Sequence, residues 1–286
     1  MAYLFLALEV VQRVQMIYAA YGGKNLILNL SKRNRTCIEQ GIYDFELIDY
    51  PNITSSEWQS LIEFIQYEKS YGRQTEIKCE DEKLADVLIN AAAHPETAEN
   101  SLLSKIIACG DCGFVYHATD IKATQKILSG GKLLSATKVY GKTGEELVFA
   151  RRGTAWNDPA EYFEYIMFCW GDNPTGDYVV LSENFPSEDD LSQGIFNAGI
   201  RFYFRYEDIT RRPGLVFDGY HAIKVKEEIV LSDYLYACIV PEQYRIELSG
   251  HVPLELEARV YYLPQDKLGI LEWNEKVYSF VSNIQG

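Results

Sequence analysis

A short apolar run ending in a histidine, Phe114-Val115-Tyr116-His117-Ala118-Thr119, is followed by Asp120 to Ser129 and then by Gly130-Gly131, and this stretch constrains the chain more than any other. It predicts a strand, a Thr able to cap the next helix, about three helical turns and a double-glycine stop. A strand that carries His117 to the mouth of a cleft suits a binding site. The alternative is a buried, hydrogen-bonded core histidine.

Around this stretch the 286 residues read as a globular chain long enough for two domains or one large one, with 47% hydrophobic residues to fill a core. With 27 basic against 41 acidic residues the net charge is -14, which argues against broad adhesion to nucleic acid or to an anionic membrane surface. A local basic groove remains compatible with that balance, from Lys32, Arg33 and Arg35 or from Arg201, Arg205, Arg211 and Arg212; solvated faces are the other explanation of such clusters. The six cysteines are sparse and lack the spacing of a disulfide scaffold, so a reducing, cytoplasmic setting is expected. Met1 to Ala7 is apolar, but Glu9 and Arg13 interrupt it and no basic segment precedes it, so neither a signal peptide nor a spanning helix is expected.

From the N-terminus, Leu4 to Tyr21 has the spacing of an amphipathic helix before Gly22-Gly23. Strands are expected over 25–30, 41–48 and 75–79. Thr54-x-x-Glu57 is a capping box ahead of a helix through Trp58, Leu61, Ile62 and Ile65, and a second helix runs through Leu84, Val87, Leu88 and Ala91. Residues 1–110 therefore form a mixed α/β module of unknown role, with 93–100 the softest boundary, and 111–286 form a second domain.

Three local motifs carry competing readings. Cys109-Gly110-Asp111-Cys112 has the spacing of half a zinc site or of a redox pair, with Cys79 and His94 upstream, but ordinary reduced cysteines are the better account. Gly141-Lys142-Thr143 lacks the first glycine of a phosphate loop, since Ala136 stands there, and no Gly-x-Gly-x-x-Gly follows a strand. Arg151-Arg152 ahead of the aromatic run from Trp156 to Phe168 fits a diphosphate clamp with a ring to stack on a base. A surface arginine pair beside a packed aromatic helix is the better account of this segment taken alone. Further strands are expected over 177–181, 200–204, 225–232 and 235–241, with an acidic loop at 187–192.

Taken together, Tyr116-His117-Ala118-Thr119, Gly131-Lys132-Leu133-Leu134-Ser135, Arg151-Arg152 with Asp158-Pro159-x-x-Tyr162-Phe163, and Glu228-Ile229-Val230-Leu231 followed by Ala237-Cys238-Ile239-Val240 resemble the ADP-ribosyltransferase fold. Within it they are most similar to the DarT family of DNA-targeting toxins. The resemblance spans residues 114 to 241 and leaves the N-terminal module and the tail after Arg245 uncovered.

The resemblance implies an α/β (α+β) protein whose 111–286 domain is a pair of packed, mostly antiparallel sheets. It implies an NAD-dependent ADP-ribosyltransferase that modifies a base of single-stranded DNA or RNA, acting as a toxin or anti-phage effector and restrained by an antitoxin or immunity protein. Tyr116, His117 and Thr119 would hold NAD, with Tyr162 or Tyr165 stacked on the nicotinamide ring. Arg151 or Arg152 would meet the diphosphate, and Glu228 would stabilise the oxocarbenium-like ribose. Glu227 is the rival of Glu228, because adjacent strand residues point to opposite faces. Transfer to protein, NAD hydrolysis, and an inactive fold that binds a partner are the alternatives. No metal and no membrane partner is expected.

Overall fold

The computed structural model describes residues 25–31, 42–46, 54–79, 82–93, 113–150, 159–182 and 196–284. The helix expected over Leu4 to Tyr21, the Cys109–Cys112 pair, Arg151-Arg152 and the acidic loop at 187–192 lie outside the described residues. The chain divides into two compact units, Met1–Glu99 with Asp218–Tyr220, and Asn100–Phe217 with His221–Gly286.

The first unit has an all-parallel three-stranded sheet with β1 (Asn25–Ser31) between β2 (Ile42–Glu46) and β3 (Gln74–Lys78). Parallel strands of one sheet need crossover connections, and α1 (Ser55–Ser70) lies in the one that leads from β2 past β1 to β3. The capping box forms as expected: Thr54 Oγ1 accepts the Glu57 N–H at 3.3 Å and the Glu57 carboxylate accepts the Thr54 N–H at 2.7 Å. Leu61, Ile62, Phe64 and Ile65 of α1 form a core with Leu88 and Ala92 of α2 (Glu82–Ala93). Beyond α1, Gly72 takes a left-handed φ of 75°, and Arg73 pairs with the buried carboxylate of Glu68.

The second unit is mixed α and β around a large, mostly antiparallel sheet. In chain order it contains β4 (Phe114–Thr119), α3 (Ile121–Gly130), β5 (Lys132–Leu134), α4 (Ala136–Tyr140), α5 (Gly144–Phe149), a 3-10 turn over Ala160–Glu164, β6 (Tyr165–Trp170) and α6 (Thr175–Ser182). There follow β7 (Ile200–Arg205), β8 (Leu215–Val216), β9 (Ile223–Lys226), β10 (Glu228–Val230), β11 (Leu235–Pro241), β12 (Val260–Leu263) and α7 (Ile270–Ser282). The sheet order is β12-β11-β7-β4-β6-β9-β8, antiparallel except for β11 and β12, while β5 and β10 form a separate two-stranded ladder. Mixed α and β elements around mostly antiparallel strands are as expected for an α+β protein.

The seven strands do not pair evenly. β4 pairs with β7 along its whole length, from Phe114 with Arg205 to Thr119 with Ile200, but with β6 only through Val115 with Trp170 and Tyr116 with Cys169. β6 then continues with β9, from Phe168 with Ile223 to Tyr165 with Lys226. The sheet therefore opens between β4 and β6 from His117 onward.

Alternation along the strands sorts two cores to the two faces. Val115, Phe168, Phe202, Phe204, Ile223 and Val225 pack on one side with Leu128, Leu133 and Ile229. Tyr116, Tyr203, Ala237 and Ile239 pack on the other with Trp273, Val277 and Val281 of α7.

Four local expectations are corrected. Asp120, not Thr119, caps α3: its Oδ1 accepts the Ala123 N–H at 2.7 Å, and Thr119 is the last residue of β4. Residues 177–181 are helical in α6, although aromatic and β-branched residues favour strands; Asp177 in its first turn forms a buried ion pair with Arg201. The aromatic run from Tyr165 is strand β6, not helix. The strand expected over 225–232 is broken at Glu227, whose φ of 66° turns the chain between β9 and β10.

Candidate functional site

Antiparallel order carries the end of β4, the start of β6 and the end of β9 to the same edge of the sheet, which gathers Thr119, Tyr165 and Lys226 there with His117 one turn of the pleat inward. The Gly131–Ser135 segment closes on this edge. The Ser135 N–H donates to the Glu227 carbonyl at 2.8 Å, Leu134 pairs with Glu228, and the Leu231 N–H donates to the Gly131 carbonyl at 2.9 Å.

His117 Nδ1 lies 3.1 Å from the Met167 carbonyl, and its ring meets Phe168 edge-on. A carbonyl only accepts, so Nδ1 carries the proton and Nε2 of the neutral ring is left as an acceptor. Burial lowers the His117 pKa and outweighs the Met167 hydrogen bond, which favours the charged form, so the ring is neutral near pH 7. The side chain remains partly exposed. A neutral acceptor at the opening of the sheet can receive a hydroxyl proton.

Tyr116 does not share that face. It is fully buried, its Oη donates to the Asn173 carbonyl at 2.6 Å and accepts the Gly176 N–H at 3.0 Å, and its ring stacks on Tyr203. Burial raises its pKa well above the ordinary tyrosine value despite the Arg201 charge. Both hydrogen-bonding roles of the hydroxyl are spent on fastening α6 to the sheet. Thr119, on the His117 side by alternation, is partly buried. Tyr162 is also fully buried, with Lys224 Nζ 3.7 Å from its ring centroid, so it offers no face for stacking. Tyr165 is partly exposed at the start of β6, across from Lys226.

The two glutamates diverge. Both carboxylate oxygens of Glu228 are held by Lys132 Nζ, at 3.1 and 3.2 Å, on the outer side of the β5–β10 ladder, opposite buried Ile229 and Leu133. Glu227 instead faces an open cleft of about 600 Å³, lined also by Thr143, Gly144, Glu146, Glu164 and Lys226. Its carboxylate is 3.2 Å from Lys138 Nζ, and Glu164 is 3.3 Å from Lys226 Nζ, both pairs half-exposed. Of the residues singled out from sequence for NAD or catalysis, Glu227 lines this cleft; His117, Thr119, Tyr162, Tyr165 and Glu228 stand outside its walls. Glu145, Glu146, Glu164 and Glu227 outnumber Lys142 and Lys226 at its walls, so the open cleft carries net negative charge.

Gly141-Lys142-Thr143 serves α5 rather than a phosphate. Thr143 Oγ1 accepts the Glu146 N–H at 3.3 Å, and the Glu146 carboxylate accepts the Thr143 N–H at 2.8 Å. Thr143-x-x-Glu146 is a second capping box, with the same Thr-x-x-Glu spacing as Thr54 and Glu57.

Arg201 is corrected from a phosphate-binding candidate to a core residue. It is fully buried: Nε donates to Asp177 Oδ2 at 3.1 Å, and Nη1 to Tyr203 Oη at 2.9 Å and Asn274 Oδ1 at 2.8 Å. Arg205 is exposed at the other end of β7, over the Tyr236 ring. No protein-family model, curated protein or solved structure matches the chain.

Proposed function

We propose that the second unit is an NAD-dependent ADP-ribosyltransferase, with NAD as its co-substrate and a base of single-stranded DNA or RNA as acceptor. One observation carries it: antiparallel pairing brings the His117 strand end, the start of β6 and the end of β9 to one edge of the sheet, and there the Gly131–Ser135 segment is bonded to the glutamate pair through Ser135 to Glu227 and Leu134 to Glu228. Neutral His117 would accept a ribose hydroxyl through Nε2, Thr119 and Tyr165 would flank it, and a carboxylate of the glutamate pair would stabilise positive charge on the ribose as nicotinamide departs.

A second reading, transfer to protein or to water, is favoured by the charge of the site. Arg201 is withdrawn from any phosphate, and Glu146, Glu164 and Glu227 face the cleft. The test is incubation with NAD labelled in the adenylate, separately with single-stranded DNA, RNA and cell-extract protein. Label on nucleic acid is expected; label only on protein, or free ADP-ribose alone, selects the second reading, and intact NAD in every arm refutes the enzyme.

A further inference from the structure

Resting on that proposed function, we infer that Glu227, rather than Glu228, is the carboxylate that acts on the ribose. The two are adjacent, and in a regular strand either register would serve. This chain has no regular strand there. Glu227 sits at φ 66°, a left-handed conformation that glycine adopts freely and a glutamate only under strain, between the last residue of β9 and the first of β10.

Its backbone is tied on both sides, the N–H donating to the Glu164 carbonyl at 3.0 Å and the carbonyl accepting from Ser135 at 2.8 Å, so the conformation is imposed by the fold. The turn places Glu227 at the wall of the cleft, while Glu228 lies outside those walls, on the outer face of the ladder in a half-exposed pair with Lys132. Asp266 and Lys267 also take a left-handed φ, so the strain at Glu227 points to function only together with its place in the cleft wall. Lys138 is the only cost of freeing that carboxylate for substrate among the ion pairs described at Glu227, and the pair is half-exposed and weak.

In the step itself the bond between ribose C1′ and the nicotinamide nitrogen breaks, and its electron pair leaves with nicotinamide. A lone pair of the acceptor forms the new bond to C1′, and the proton lost by the acceptor passes to the Glu227 carboxylate and on to water.

The test compares wild type with Glu227→Gln, Glu228→Gln and Glu227→Gly, by nicotinamide release and by thermal unfolding. Glu227→Gln should fold normally and lose about 100-fold in release. Glu228→Gln should stay within about threefold of wild type, the scale of losing an exposed ion pair. Glu227→Gly should melt higher than wild type while releasing no nicotinamide, because glycine takes the left-handed φ without strain. A dead Glu228→Gln beside an active Glu227→Gln overturns this assignment alone, and a Glu227→Gly that melts lower overturns the strain argument. A wild type that releases no nicotinamide with any acceptor overturns the proposed function and this assignment with it.

Discussion

Replacing Arg201 with methionine removes a buried cation while roughly keeping its length and apolar stem. The guanidinium is fully buried and donates to Asp177, Tyr203 and Asn274, with its Cζ 4.6 Å from the Tyr116 ring centroid. Burial pulls the Arg201 pKa down, but the Asp177 charge outweighs that and leaves it raised, so the group is charged at any working pH. In Arg201→Met the loss falls on Asp177, which is also fully buried and whose Oδ1 has no hydrogen-bond partner even in the intact protein. Stranding one member of a buried pair costs about 3–5 kcal/mol. For a domain of this size each kcal/mol lowers Tm by about 2–4 °C, so the melt should fall by roughly 6–20 °C. Calorimetry or urea unfolding measures it, and Arg201→Met/Asp177→Leu should regain at least about half of the loss, because replacing both partners by apolar groups is often near neutral. A loss under about 1 kcal/mol, or a double variant no better than the single, would refute a paired buried charge and return Arg201 to the phosphate-binding candidates.

Two further outcomes follow from single positions. A Cβ on Gly144 would stand 1.9 Å from the Ala160 carbonyl oxygen and 2.6 Å from its carbon, backbone that cannot swing aside; Gly144→Ala should therefore cost about 2–3 kcal/mol by parting α5 from the 160–164 turn, and unchanged urea unfolding would contradict the close approach. His117 has a folded pKa below its ordinary 6.5, so the unfolded state binds more protons in the window between the two values. Stability is then fully present above about pH 6.5 and falls as pH drops toward the folded pKa. His117→Asn should remove that part of the slope between pH 7.5 and 5.5, and a variant whose pH profile parallels wild type would show that His117 is not held neutral.

What the sequence determined alone was whatever is decided within a turn or two of chain. The helix after β4 and its stop are legible because an apolar stripe and a left-handed glycine lie close together in the chain, although its cap is Asp120 and not the Thr119 that the sequence suggested. Thr54 to Glu57 starts α1 for the same kind of reason, and the runs at β7 and β11 are apolar enough to be strands in any core. Tertiary structure decided the rest. The run at 177–181 has strand composition but is helical where Asp177 meets an arginine 24 residues on. Tyr116 and His117 are neighbours in sequence, yet the sheet assigns one to the α7 core and the other to its open edge. Nothing local distinguishes Glu227 from Glu228; pairing of β10 with β5, 96 residues away at Lys132, sets one on the outer face of the ladder and leaves the other at the cleft wall. Caps and glycine stops act through bonds to their own backbone, whereas a side chain's face and partner are set by which strands hydrogen-bond across the sheet, an arrangement specified by the whole chain at once.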